Sequence, residues 1–246
     1  PDGRNGNDIA TWHVGVGFNA EDASTGTLAI QSAEIDAECV LKLHAGENGI
    51  MSTGSLGVTV EDSLLISRLP ETQVVDGLFI DAFGDARATL TITDTNTEFA
   101  GPLPITAPNR QWLAAQAGDQ GVLTINLTRV STVNTQTGFQ DFIQLNAQDS
   151  AMLNLNLSEV DAGETQQFAI DALATDSSRI VQSIANSTFN GNGLGLINGE
   201  ASVSGTLSST ISGSSFTTSG VRAITFFGDS NACLLYTSPS PRDRSS

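Results

Sequence analysis

The chain has 246 residues, with 27 acidic against 10 basic side chains and a formal charge of −17. So acidic a surface excludes nucleic-acid binding by phosphate neutralisation. Lys42, the single lysine, follows Cys-Val-Leu rather than a glycine-rich loop, which excludes a P-loop; two cysteines are too few for a disulfide scaffold, and no apolar run is long enough for a membrane helix.

In chain order, Gly15-Val16-Gly17-Phe18-Asn19-Ala20 has the spacing of a dinucleotide fingerprint, with Asp36 downstream. Such a site needs a helix N-terminus directly after the glycines to hold the pyrophosphate. Glu21–Gly26 and the alternating segment Thr27–Gln31 follow instead, so these glycines read as turn residues. Cys39, beside Val40 and Leu41, reads as a small buried hydrophobe. His44 alternates with Leu41 and Leu43 and is predicted to point outward beside Lys42. His13 and His44 are the only histidines, no serine sits in GxSxG, and no CxxC or His-rich spacing suits zinc. No catalytic or cofactor-binding residue is assigned.

Comparable apolar-alternating segments follow at Leu64–Arg68, Thr89–Thr93, Leu123–Thr128 and Leu153–Ser158, spaced by 26 to 36 residues. Alternation of Leu153, Leu155 and Leu157 with Asn154 and Asn156 predicts strands with one buried face. Residues 108–118 read as an insertion, with a proline near the start and Gly118 after it predicting a short helix or lid. Asn126, Asn156 and Asn186 are sequons, read as part of a polar outward row. Ser183–Ile197 and Thr210–Ile224 then align without gaps at an offset of 27 residues. That step places Ile143, Ile170, Ile197 and Ile224 in one column, Leu157, Ile184 and Ile211 in a second, and Leu153, Ile180 and Leu207 in a third. Ile80–Ala88 and Ile224–Ala232 resemble one another as unit ends.

Units of this length, each with two or three short strands, cannot bury an apolar face alone; stacking in register at ~4.8 Å turns each column into an interior ladder. The expected fold is all-β, a solenoid of about seven coils with a repeat near 27 residues. Asn186–Gly193 (NSTFNGNG) and its copy Gly213–Gly220 (GSSFTTSG) carry a resemblance to right-handed parallel β-helix proteins, the pectate-lyase-like superfamily and its bacterial surface-protein relatives. The resemblance is firm over 121–232 and looser over 11–120, within one β-helix spanning 1–232. The alternative is an antiparallel sandwich or barrel, for which Ile224–Ala232 is similar to barrel domains of transferrin-binding-like surface lipoproteins. Cys233–Asp243 (CLLYTSPSPRD) matches translated sequencing adapter in full, so 233–246 reads as a non-native tail. With no initiating methionine either, the chain reads as a piece of a longer protein.

Asp85, Asp149, Asp176 and Asp229 each follow a ladder position by five or six residues, at what reads as the same turn. Stacked carboxylates repel unless a cation, proton or water intervenes, so Asp149 and Asp176 are the candidate calcium ligands. Asp94-x-Asn96-x-Glu98 is a further alternating oxygen set. The competing reading is that these aspartates cap turns. The resemblance implies either an adhesin-type, extracellular or outer-membrane-associated binding domain for cell-surface glycans or host and matrix surfaces, or a secreted polysaccharide lyase or glycoside hydrolase acting on the groove. Scattered single arginines and the absence of a contiguous Asp pair favour the former.

Overall fold

A computed structural model describes residues 14–47, 52–68, 76–99, 111–133, 140–163, 165, 167–218, 222–228 and 232–237. Every element among them is a strand, and every strand pairing is parallel. The antiparallel alternative is therefore excluded, and the chain is a parallel β-solenoid.

Three ladders run along it. The first stacks Val14–Ala20, Cys39–Ala45, Leu78–Ala82, Gln111–Ala117, Asp141–Ala147, Ile170–Ala174, Gly195–Ala201 and Arg222–Gly228. The second stacks Thr25–Gln31, Ser55–Glu61, the front halves of Arg87–Phe99 and Val122–Val133, then Met152–Ser158, Arg179–Ala185, Thr206–Ser212 and Cys233–Thr237. The third contains Glu34–Ala37, Leu64–Ser67, the rear halves of the same two long strands, Asp161–Ala162, Thr188–Asn192 and Ser215–Thr218. Seven steps separate the eight strands of the first ladder, averaging about 30 residues.

All three predicted columns are present: Ile143–Ile170–Ile197–Ile224, Leu153–Ile180–Leu207 and Leu157–Ile184–Ile211 are in register. The constant step of 27 holds only there. Upstream, Val16 to Leu41 is 25 residues, Leu41 to Leu78 is 37 and Leu78 to Leu113 is 35. Two expectations are corrected. Leu64–Ser67 belongs to the third ladder, and Gly57–Glu61 is the true partner of Thr27–Gln31. Residues 111–117 are neither helix nor lid but a first-ladder strand, because Leu113, Ala115 and Ala117 continue the inward columns of Leu78, Ile80 and Ala82; residues 108–110 lie outside the described residues.

The core is aliphatic, and its shape shows in one column. Ala20, Ala45, Ala82, Ala117, Ala147, Ala174 and Ala201 stack in consecutive coils at the end of the first ladder. The chain turns sharply there. A Cβ on Gly54, Gly121 or Gly205 would meet the carbonyl oxygen of Ala20, Ala82 or Ala174 at 2.4, 2.3 and 2.4 Å. Only methyl-sized side chains fit so tight a corner. In the second ladder, the central inward column Val58–Leu90–Ile125–Leu155 ends in Gln182 and Ser209, both buried and without a hydrogen-bond partner for their side-chain atoms.

Both corners repeat a left-handed residue. Between the first and second ladders these are Asp22, Gly84, Asp119, Asp149, Asp176 and Val203, the non-glycine members at φ 53 to 60°. Each sits second in a four-residue turn closed by bonds such as Ala151 N–H to Gln148 O (3.1 Å) and Gly205 N–H to Ser202 O (2.9 Å). Between the second and third ladders the residues are Ser32, Asp62, Asp94, Arg129, Glu159, Asn186 and Gly213. Glycine adopts this conformation freely, and Asp and Asn tolerate it through local hydrogen bonds; a β-branched residue does not. Val203, with φ 60° and 52% exposed, is the misfit. Val203→Asn is expected to stabilise the protein by about 1 kcal/mol, read as a raised midpoint of thermal unfolding; an unchanged or lowered midpoint contradicts the strain assigned to this turn.

Candidate functional site

Two outward faces carry the chemistry. On the first ladder the outward positions of the middle coils are largely buried as well as the inward ones, Val40, His44, Asp81, Trp112 and Phe142 among them, whereas Asn19 and Glu200 toward the ends are exposed. Trp112 and Phe142, adjacent in the stack, lie face to face with centroids 4.6 Å apart and planes inclined by 13°. Beside them runs the column Asn19–His44–Asp81–Gln116–Asn146. His44 does leave the core side, as its alternation with Leu41 and Leu43 requires. It is not exposed, however: His44 is 9% accessible and Asp81 3%, and His44 Nδ1 is hydrogen-bonded to Asp81 Oδ1. The register brings Asp81 beside it from 37 residues downstream, a partner that local alternation cannot reveal.

Where the chain enters the first ladder, Asp76, Gln111 and Asp141 stack at one corner. Gln111 N–H donates to Asp76 Oδ1 at 3.0 Å, and Phe168 N–H donates to Asp141 Oδ1 at 3.0 Å. Burial lifts the Asp76 carboxyl to about 6, against the pull of the Gln111 amide. Burial likewise lifts Asp141 to about 7; the Phe168 amide opposes the rise and the charge of Asp171 adds to it. Cys39 is buried as expected, and burial, helped by Asp76, pushes its thiol up to about 12. It is an inert thiol. A carboxyl group titrating near neutrality could serve as a general acid, but Asp141 is 1% accessible and its nearer oxygen is taken by a backbone amide.

The turn aspartates are placed as predicted in one respect. Asp149 and Asp176 occupy the same corner in adjacent coils, with Ser177 N–H bonded to Asp149 O at 2.7 Å. Asp85 does not share their column, since Gly84 holds the left-handed position and Asp85 follows it; Asp22 and Asp119 are further members of the column. Asp229 lies outside the described residues. The carboxylates have work within the turn: Asp149 Oδ2 accepts Asp119 N–H (3.3 Å), Asp119 Oδ2 accepts Gly84 N–H (3.1 Å), and Asp176 Oδ2 accepts the Thr175 hydroxyl (3.1 Å). Each of the first two clamps the coil before it. Asp94, Asn96 and Glu98 do not present one oxygen cluster. Asp94 is a left-handed corner residue held by a two-point Arg129 pair, and Asn96 Oδ1 accepts the Ser131 hydroxyl at 2.6 Å. Arg129 holds the Asp94 carboxyl below the usual range, as Arg68 does for Asp36. Among the described residues, no group of three or more His, Cys, Asp or Glu side chains is arranged to hold a metal.

Of the glycines in the dinucleotide-like run, Gly15 is explained by packing, whereas a Cβ on Gly17 would make only an ordinary contact with Val14. A Cβ on Gly15 would meet Ile35 Cγ2 at 2.6 Å and Val40 O at 2.8 Å. A strand, Thr25–Gln31, follows the turn where a helix would be required.

The outer face of the second ladder is different in kind. Its central column reads Thr59–Thr91–Asn126–Asn156–Ser183–Thr210–Thr237, seven coils of uncharged hydrogen-bonding side chains. Asn156 Nδ2 donates to Asn126 Oδ1 at 2.8 Å, and Asn126 Nδ2 to Thr91 Oγ1 at 3.4 Å. Asn154 Nδ2 donates to Thr124 Oγ1 at 3.4 Å in the next column. The predicted polar outward row is this ladder for Asn126 and Asn156; Asn186 instead holds the left-handed corner that follows it.

No protein-family model matches the chain, and neither the curated proteins nor the solved structures contain a significant match.

Two measurements follow from these groups. Asp76 and Asp141 titrate at about 6 and 7 in the folded chain, above the unfolded value near 3.9. Folding therefore favours their protonated forms; that contribution is complete below about pH 4 and is lost as pH rises through about 6 to 7. The melting temperature is expected to fall between about pH 4 and 7, and Asp141→Asn, which keeps an acceptor for Phe168 N–H, is expected to flatten the fall. For Asp149 and Asp176, unfolding is compared in calcium and in EDTA. A calcium-dependent rise that Asp149→Asn with Asp176→Asn abolishes establishes the site; equal midpoints identify them as turn clamps alone.

Proposed function

We propose that this chain is a binding and projecting domain of an extracellular or cell-surface bacterial protein, an adhesin-type β-solenoid that holds its partner by many repeated weak contacts. The observation that carries this reading is the unbroken, uncharged stripe from Thr59 to Thr210 on the outer face of the second ladder. A rigid row of equivalent groups gives avidity without a hot spot, because each engaged coil raises the effective concentration of the next. The burial of His44, Asp81 and Asp141 supports the same reading, since groups sealed from solvent are sealed from a polymeric substrate. Residues 233–246 are taken as non-native on their eleven-residue adapter match, although Cys233–Thr237 extends the second ladder.

The second reading is a polysaccharide lyase or glycoside hydrolase working on the outer face of the first ladder. The polar column His44–Asp81–Gln116, with Lys42 two residues from His44, favours it. One experiment separates the two. The chain is incubated with acidic and neutral polysaccharides, with and without calcium, and assayed both for retention on glycan- or matrix-coated surfaces and for new chain ends. Retention without cleavage is expected. Chain shortening that Asp81→Asn abolishes would overturn the binding-domain reading.

A further inference from the structure

The chemistry of the second-ladder face narrows its partner. The chain carries −17, yet three of the four outward columns of this face are free of charge from Thr89 to Ser158: Thr89, Thr124 and Asn154; Thr91, Asn126 and Asn156; Thr93, Thr128 and Ser158. The fourth, at the entry edge of the strands, carries Arg87 and Arg179, and Glu61 precedes Thr93 by one coil. An anionic partner would be repelled by the rest of the molecule, and a cationic one would find its complement at the acidic corners around Asp62, Asp94 and Glu159 rather than on this face. The face suits a neutral partner.

Its hydrogen-bonding capacity is also specific. The bonds Asn156 to Asn126 and Asn126 to Thr91 form a chain along the solenoid axis, each amide giving one N–H to the coil before it. Every asparagine amide has two N–H donors and an acceptor with two lone pairs, so each retains a donor and acceptor capacity for an external ligand. The side chains are already fixed by their neighbours, which lowers the ordering cost of binding. Successive coils repeat this offer every ~4.8 Å, and positions two residues apart along a strand lie ~6.6 Å apart. An extended sugar polymer advances by a comparable length per pyranose unit and displays a hydroxyl pair of donor and acceptor at each.

We propose that the stripe Thr59–Thr91–Asn126–Asn156–Ser183–Thr210 is a docking surface for an extended, uncharged polysaccharide lying along the solenoid axis, one sugar unit per coil. The inference rests on the binding-domain reading and names the class of its partner.

The test uses the full chain and depletion onto insoluble neutral glycans (microcrystalline cellulose, chitin and mannan), with polygalacturonate gel and protein-coated beads as the other arms. Binding to at least one neutral glycan is expected. It should increase with the length of soluble competitor oligosaccharides up to about six units, one for each coil of the stripe. Asn126→Asp with Asn156→Asp places two like charges one coil apart on the stripe, and should weaken binding roughly tenfold or more. Thr27→Asp, on the same ladder but beyond the stripe, serves as the charge control, and the melting temperature of each variant checks folding. Equal binding by wild type and double variant overturns the proposal, as does binding to polygalacturonate or protein alone; those two outcomes leave the binding-domain reading standing. Binding to none of the surfaces overturns both.

Discussion

Every coil of this molecule hydrogen-bonds to the coils before and after it, in parallel and in register, and this constraint shapes all the rest. A chain that turns the same corners in every coil must cross each with the same backbone geometry. The corner between the second and third ladders has a left-handed residue in seven consecutive coils, from Ser32 to Gly213. The other corner is so tight that alanine fills one inward column from Ala20 to Ala201. These positions are selected by backbone conformation and space, whereas the Ile and Leu columns beside them are selected by burial.

Stacking like upon like at ~4.8 Å makes some repeats favourable and others costly. Aromatic pairs profit from it: Trp112 lies on Phe142, and Phe189 on Phe216 with centroids 5.4 Å apart. Amides and hydroxyls form ladders, as Asn126 and Asn156 do. Carboxylates need separation or partners. Gln111 stands between Asp76 and Asp141, Arg129 sits against Asp94, and Asp149 and Asp119 spend their oxygens on backbone amides of the preceding coil. A chain this acidic tolerates the stack because its acids are neutralised, spaced or bonded in this way.

The two outward faces have diverged under the same constraint. The first ladder's face is largely buried in the middle coils, and polar groups there pair with one another, His44 with Asp81 and Asp171 with Asn198. The second ladder's face keeps its polar groups exposed or half-exposed and regularly spaced, with an uncharged central column. A regular, uncharged array has many weak contacts to offer and no reactive centre, which is the physical basis for reading the chain as a binder.

The sequence by itself determined the strand class, the parallel stack and three interior columns. In the last three steps of the first ladder the connections keep one length, so equivalent residues recur at a fixed offset. It also placed Cys39 in the core and Asp149 with Asp176 at one turn. Tertiary structure alone decided the rest. Connections of unequal length before Leu113 break the offset, so Leu64–Ser67 was placed with the wrong ladder and the strand Gln111–Ala117 was read as an insertion. A better signal lay in the recurring alanine that ends the first seven of the eight first-ladder strands whatever the spacing. His44 and Asp81, like Asp76, Gln111 and Asp141, become neighbours only through register across 30 to 37 residues. Periodicity tells which side of a strand a residue takes; what lies beside it and what covers it are set by the neighbouring coils, and so is whether a carboxyl group there keeps its proton.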